Sequence, residues 1–106
     1  DLLRFVTALR DGKLGVPKSI FEQAITPTLG GFGLGFFATD YGEGHLPRDL
    51  RWGHGGQLYA QCVDVRTYEA TGETIITLSN NGNPACFRVA GFLHQDWKLR
   101  NARAVR

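Results

Sequence analysis

Leu58-Tyr59-Ala60-Gln61-Cys62-Val63-Asp64-Val65 and Thr74-Ile75-Ile76-Thr77-Leu78-Ser79 decide the fold class of this chain. The first run reads as a strand. The second is rich in β-branched residues, which fit a pleated, half-buried surface. Between them Glu69-Ala70-Thr71-Gly72-Glu73 is a turn cluster, and the pair reads as a hairpin. Strands joined by a short turn run antiparallel.

Working back from the hairpin, Gly30-Gly31-Phe32-Gly33-Leu34-Gly35-Phe36-Phe37 alternates small and large residues, with the period of a third strand. Gly inside a strand marks either a bulge or a place where a ligand or another backbone comes close. The residues alone leave both open. Near the start, Leu2, Leu3, Phe5, Val6 and Leu9 recur at helical spacing, with Asp1 suited to the helix start and Gly12 to its stop. A second short helix opens at Pro17, carries Ile20, Phe21 and Ala24 on one face, and ends before Pro27, because Pro disfavours helical geometry at Thr26.

Beyond the hairpin, Asn80-Asn81-Gly82-Asn83-Pro84 breaks the sheet, and Pro84 opens a last helix. Val89, Phe92, Leu93 and Trp97 stripe one face of it. Lys98, Arg100, Arg103 and Arg106 crowd its end, where cations complement the helix dipole without any nucleic acid. The expected order is helix, helix, three strands, helix: an α+β chain whose antiparallel sheet has flanking helices. There is no internal repeat and no low-complexity tract.

At 106 residues this is one domain or a piece of one. With 42% hydrophobic and 21% charged residues, the composition is that of a globular chain and excludes disorder. Twelve Lys and Arg against ten Asp and Glu leave +2, too little to argue for a nucleic-acid partner. No apolar run approaches the ~18 residues of a membrane-spanning helix. No basic-then-apolar leader is present, so no signal peptide is expected. The first residue, Asp1, already lies next to the periodic pattern, so residues 1–106 are expected to be one partial domain.

Cys62 and Cys86 cannot make a disulfide-dense scaffold; they are one bridge or two buried thiols. A bridge needs Cα atoms within about 7 Å. Cys62 lies mid-strand and Cys86 in the first turn of the last helix, so a bridge requires that turn to fold directly over Cys62. Two buried thiols are the expectation.

The stretch that carries chemistry is Trp52-Gly53-His54-Gly55-Gly56-Gln57. A titratable His stands between glycines where a strand begins. Glycines let a substrate or a second backbone approach closely, and a His there can donate a hydrogen bond, carry a proton or hold a metal. The competing reading is a tight turn with His54 in solvent. His45, His54, Cys62, Cys86 and His94 show no paired ligand spacing, so neither metal nor cofactor is expected. A dinucleotide loop starting at Gly31-Phe32-Gly33 would need Gly at position 36, where Phe36 stands. The oxyanion loop of an α/β-hydrolase should follow an apolar strand and precede a Gly-x-Ser-x-Gly elbow. Here the box follows Arg48-Asp49-Leu50-Arg51, and Ser79 sits in no elbow, so that reading is a runner-up.

Three segments, in order, resemble the C-terminal part of the serine β-lactamase-like hydrolases, a superfamily of class C β-lactamases, penicillin-binding DD-peptidases and related esterases. Phe32-Gly33-Leu34-Gly35-Phe36 is similar to the family's aromatic-Gly-Leu-Gly-Phe strand. Trp52-Gly53-His54-Gly55-Gly56 resembles its third catalytic box, in the form with His-Gly-Gly in place of Lys-Thr-Gly. Thr74 to Asn80 looks like its apolar strand ending in Leu-Ser-Asn. Asp1-Leu2-Leu3-Arg4-Phe5 looks like the helix start that precedes these segments.

The resemblance implies the C-terminal part of a β-lactamase/transpeptidase-like fold. It also implies acyl-enzyme chemistry on a β-lactam, a D-amino-acid peptide or an ester. The Ser of Ser-x-x-Lys attacks, Lys and the Tyr of Tyr-x-Asn move protons, and water releases the acyl group. Carried over by position, His54 is the polar box member, Gly55 and Gly56 give clearance, the Gln57 N–H is the oxyanion donor, and Asn80 borders the substrate pocket. The chain itself holds no Ser-x-x-Lys: Ser19 leads to Glu22 and Ser79 to Gly82. It holds no Tyr-x-Asn either: Tyr41, Tyr59 and Tyr68 lead to Glu43, Gln61 and Ala70. Ala60 and Cys62 stand where the family carries Gly and a nearby Ser. The expected partners are therefore a small-molecule or peptide substrate and an N-terminal part of the same domain. The alternative class is a catalytically inactive relative that binds peptides or cell-wall fragments. The compartment stays open between periplasmic or extracellular, which the resemblance suggests, and cytoplasmic.

Overall fold

A computed structural model describes residues 1–40, 50–82 and 84–104. The elements are α1 (Leu2–Arg10), α2 (Lys18–Ala24), β1 (Phe37–Asp40), β2 (Leu50–Leu58), β3 (Gln61–Tyr68), β4 (Glu73–Ser79) and α3 (Ala85–Ala104). The strands form one antiparallel sheet in the order β1-β2-β3-β4. The α+β class and the hairpin stand; the sheet has four strands rather than three. Among the described residues no helix is long and apolar enough to cross a membrane.

Two expectations about the strands are corrected. Gly30 to Phe36 is not a strand, because Gly30, Gly31 and Gly35 take φ of 62°, 80° and 81°, outside the extended region. The strand begins only at Phe37. The expected strand Leu58 to Val65 is cut by a turn at Tyr59-Ala60: Leu58 ends β2, and β3 starts at Gln61. The His-Gly-Gly box, expected where a strand begins, lies inside β2. Its glycines have weak strand preference, and β1 pairs only with Leu50 to Gly53, so Gly55 and Gly56 are held in β2 from the β3 side and not by local propensity.

The chain divides into two compact units, Asp1–His54 with Thr67–Thr74, and Gly55–Arg66 with Ile75–Arg106. In the first, α1 buries Val6 and Leu9, α2 buries Phe21, and Ile25, Ala38, Trp52 and Tyr68 complete the apolar core. Trp52 is its centre. Phe21 and Phe36 meet the indole edge-on, with centroids at 5.2 and 5.4 Å. Its buried N–H needs a partner, and it donates to Glu69 Oε1 at 2.5 Å. Glu69 is held in turn by its own N–H, which donates to the Leu50 carbonyl.

In the second unit the buried side chains are Cys62, Asp64, Ile75, Thr77, Cys86 and Ala90. Cys62 and Cys86 form a disulfide, Cα to Cα 5.8 Å, which corrects the expectation of two thiols. The first turn of α3 does lie over Cys62: the Cys86 N–H donates to Cys62 Sγ, and the Thr77 hydroxyl donates to the Cys86 carbonyl. These ties decide how α3 is rotated. They turn Cys86 and Ala90, one helical turn apart, inward. The apolar stripe is left largely outside this packing: Val89, Phe92 and Leu93 are 49%, 70% and 43% exposed, and Trp97 is half-buried. Arg106 lies outside the described residues.

Candidate functional site: the His-Gly-Gly strand

The glycine-rich run is a loop docked on α2. The Leu34 N–H donates to the Ala24 carbonyl at 2.8 Å, and the Gly33 N–H to the Phe36 carbonyl at 2.9 Å. A Cβ on Gly33 would sit 2.0 Å from the Ala24 oxygen, so only glycine fits. The loop delivers its last two residues in different directions. Phe36 packs on Trp52. Phe37 starts β1, pairs with Gly53, and stacks on His54 with centroids 4.9 Å apart and planes at 27°. Phe32 tilts against Phe37 at 4.6 Å.

β1 and β2 pair from Asp40–Leu50 to Phe37–Gly53. That register stops one residue short of His54, so the box runs on beyond the stretch β1 covers. His54 is exposed. Alternation along β2 puts His54 and Gly56 on one face and Gly55 and Gln57 on the other.

The two glycines of the box have different reasons to be there. A Cβ on Gly55 would meet the Phe87 ring at 2.8 Å and Asp64 Oδ1 at 3.4 Å, so Gly55 makes room for α3 rather than for an acyl group. Among the described residues a Cβ on Gly56 would meet nothing within 4 Å. Gly56 and Gln57 line an open cleft of about 350 Å³ with Leu58, Gln61, Cys62 and Val63. Asn80, just past β4, lines a neighbouring cleft with Leu78 and Ser79, which shares Gln61, Cys62 and Val63 with the first. With β3 between β2 and β4, Asn80 stands two strand spacings, roughly 9–10 Å, from the box strand. Gly56 and Gln57 therefore line one cleft together, and Asn80 lines the adjoining one across β3.

Three residues beside the box were not picked out from the sequence. Phe37 had a signal: it directly follows Phe36, and two adjacent large rings at the entry to a strand rarely turn into the same core. Phe87, beneath Gly55, had none. Asp64, 4% exposed, pairs with Arg66 two residues on. Their signal was the alternation Cys62, Asp64, Arg66, which lines them up on the face that carries the disulfide. Among the described residues no three His, Cys, Asp or Glu side chains gather to hold a metal, and both cysteines are in the disulfide. His45, Tyr41 and Glu43 lie outside the described residues.

No family model, curated protein or solved structure matches this chain.

Proposed function

We propose that the chain is the C-terminal part of a serine hydrolase of the β-lactamase-like superfamily, with β2 as one wall of its acyl-transfer site. The supporting observation is the position of the box. It continues along β2 past Gly53, where the pairing with β1 ends. Beyond it Gly56 and Gln57 line an open cleft, and a Cβ on Gly56 would meet nothing within 4 Å among the described residues. An antiparallel sheet also suits this reading better than an α/β-hydrolase segment, whose sheet is mainly parallel.

In this mechanism a serine from outside the chain attacks the acyl carbon, and negative charge develops on the carbonyl oxygen. The Gln57 N–H donates to that oxygen. One such donor is worth roughly 10²–10³ in rate. His54 presents a ring nitrogen to the substrate carboxylate or to the proton passing to the leaving group. Water then releases the acyl group. The chain has neither Ser-x-x-Lys nor Tyr-x-Asn, so by itself it is expected to be inert.

The test is intact-mass measurement of the complete protein that carries this chain, after exposure to a β-lactam or a p-nitrophenyl ester. The expected result is a mass gain equal to the acyl group, on a serine other than Ser19 or Ser79. No adduct and no turnover with either probe would sink the hydrolase reading and favour an inactive binding module.

A further inference from the structure

Phe36 and Phe37 are adjacent, and only one of them serves the core. Phe36 reaches Trp52, which is 1% exposed. Phe37 remains 37% exposed, and its ring contacts among the described residues are with Phe32 and His54. Core packing therefore does not account for a large apolar ring at position 37.

We propose that Phe37 is a positioning residue, whose ring holds the His54 imidazole in one orientation beside the acyl-transfer site. The proposal rests on the hydrolase reading of His54. An exposed imidazole on a strand turns about a broad, nearly two-fold χ2, so its nitrogens would otherwise point in several directions. An offset aromatic stack favours one ring plane. The local design permits that stack. The stack lies where the pairing of β1 with β2 ends, beside Gly53, which stands opposite Phe37 and carries no side chain.

Phe37 is itself held from behind. A bridge joins it to Phe32, the two rings lie 4.6 Å apart, and the Ala38 N–H donates to the Gly31 carbonyl at 2.9 Å. The run Phe32-Gly33-Leu34-Gly35-Phe36-Phe37 thus links the core at Trp52 to the orientation of His54. In catalysis this matters because a misplaced proton-transfer group loses rate while substrate affinity changes little.

The experiment uses the complete protein that carries this chain, as wild type, Phe37→Leu and Phe37→Tyr. Two readouts are taken: the NMR shifts of the His54 ring protons, and steady-state turnover of a p-nitrophenyl ester or nitrocefin. Stacking moves the His54 protons upfield. That displacement is expected in wild type and Phe37→Tyr and absent in Phe37→Leu. In Phe37→Leu kcat should fall about tenfold or more, with KM within about twofold, and Phe37→Tyr should restore it. If the upfield shift vanishes in Phe37→Leu and kcat holds, Phe37 does not position His54, and the turnover itself keeps the hydrolase reading. If Phe37→Tyr keeps the stack but loses as much turnover as Phe37→Leu, the positioning role is overturned as well. Absence of the shift in wild type overturns it whatever the kinetics. A wild type that forms no acyl-enzyme removes the hydrolase reading and the catalytic role of Phe37 with it.

Discussion

Trp52 and the Cys62–Cys86 bridge organise two parts of the chain by different physics. In the first unit, rings of Phe21 and Phe36 close on the indole, and Val6, Leu9, Ile25 and Tyr68 fill the rest. In the second, the buried set includes Asp64 and Thr77 beside the two cysteines, while Phe92 and Leu93 stay exposed. Shape and buried apolar area hold the one. A covalent tie and satisfied polar groups hold the other. The contrast shows why α3 turns small residues inward: the tether at Cys86 outweighs the preference of the larger apolar side chains.

The largest expected effect comes from breaking the aromatic unit at its centre. Trp52→Ala removes the ring on which Phe21 and Phe36 pack and strands the Glu69 carboxylate. It should cost about 3–5 kcal/mol in urea unfolding of the complete protein. A loss below about 1 kcal/mol would mean the ring cluster is not what holds this unit.

Breaking the tether comes next. Cys62 and Cys86 are 24 residues apart. On the chain-entropy view, closing a loop of that size stabilises by about 3–4 kcal/mol. The double variant Cys62→Ser, Cys86→Ser should lose about that much, and amide exchange should rise first in the early turns of α3. Unchanged exchange at Cys86 to Ala90 would show that the noncovalent contacts suffice.

The smallest effect sharpens the comparison inside the box itself. Gly55→Ala forces the Phe87 ring to move and should destabilise by about 1–3 kcal/mol. Gly56→Ala enters open space and should change stability by less than about 0.5 kcal/mol. Equal costs at the two positions would contradict the assignment of Gly55 to packing and Gly56 to the open face.

What could be read from the sequence was local. Asp1, Gly12, Pro17 and Pro27 marked the ends of α1 and α2 to within about two residues, because glycine and proline backbone preferences act over a single turn, while Asp1 makes no side-chain cap bond. The hairpin of β3 and β4 was legible from its β-branched run and its turn at Glu69 to Gly72. What failed was set at a distance. The run Gly30 to Phe36 alternates like a strand, yet its shape follows from docking on the Ala24 carbonyl. The Cys62–Cys86 bridge depends on where α3 starts in space. The rotation of α3 depends on that bridge in turn.

For the candidate site, the box residues and their order were legible. The Phe37 stack, the role of Phe87 beneath Gly55, and the distance of Asn80 from the box strand were not. Each is a consequence of strand order and register rather than of spacing along the chain.

The central claim is that His54 acts on substrate at the wall formed by β2. Its most direct test is the acylation rate of the complete protein with His54→Ala, measured with an intact disulfide and a native tryptophan fluorescence spectrum as controls on folding. The account predicts a fall on the order of 10²–10⁴, the range for a positioned proton-transfer group. An acylation rate within a few-fold of wild type, with both controls unchanged, would contradict it and leave His54 as a solvent-facing residue on a strand.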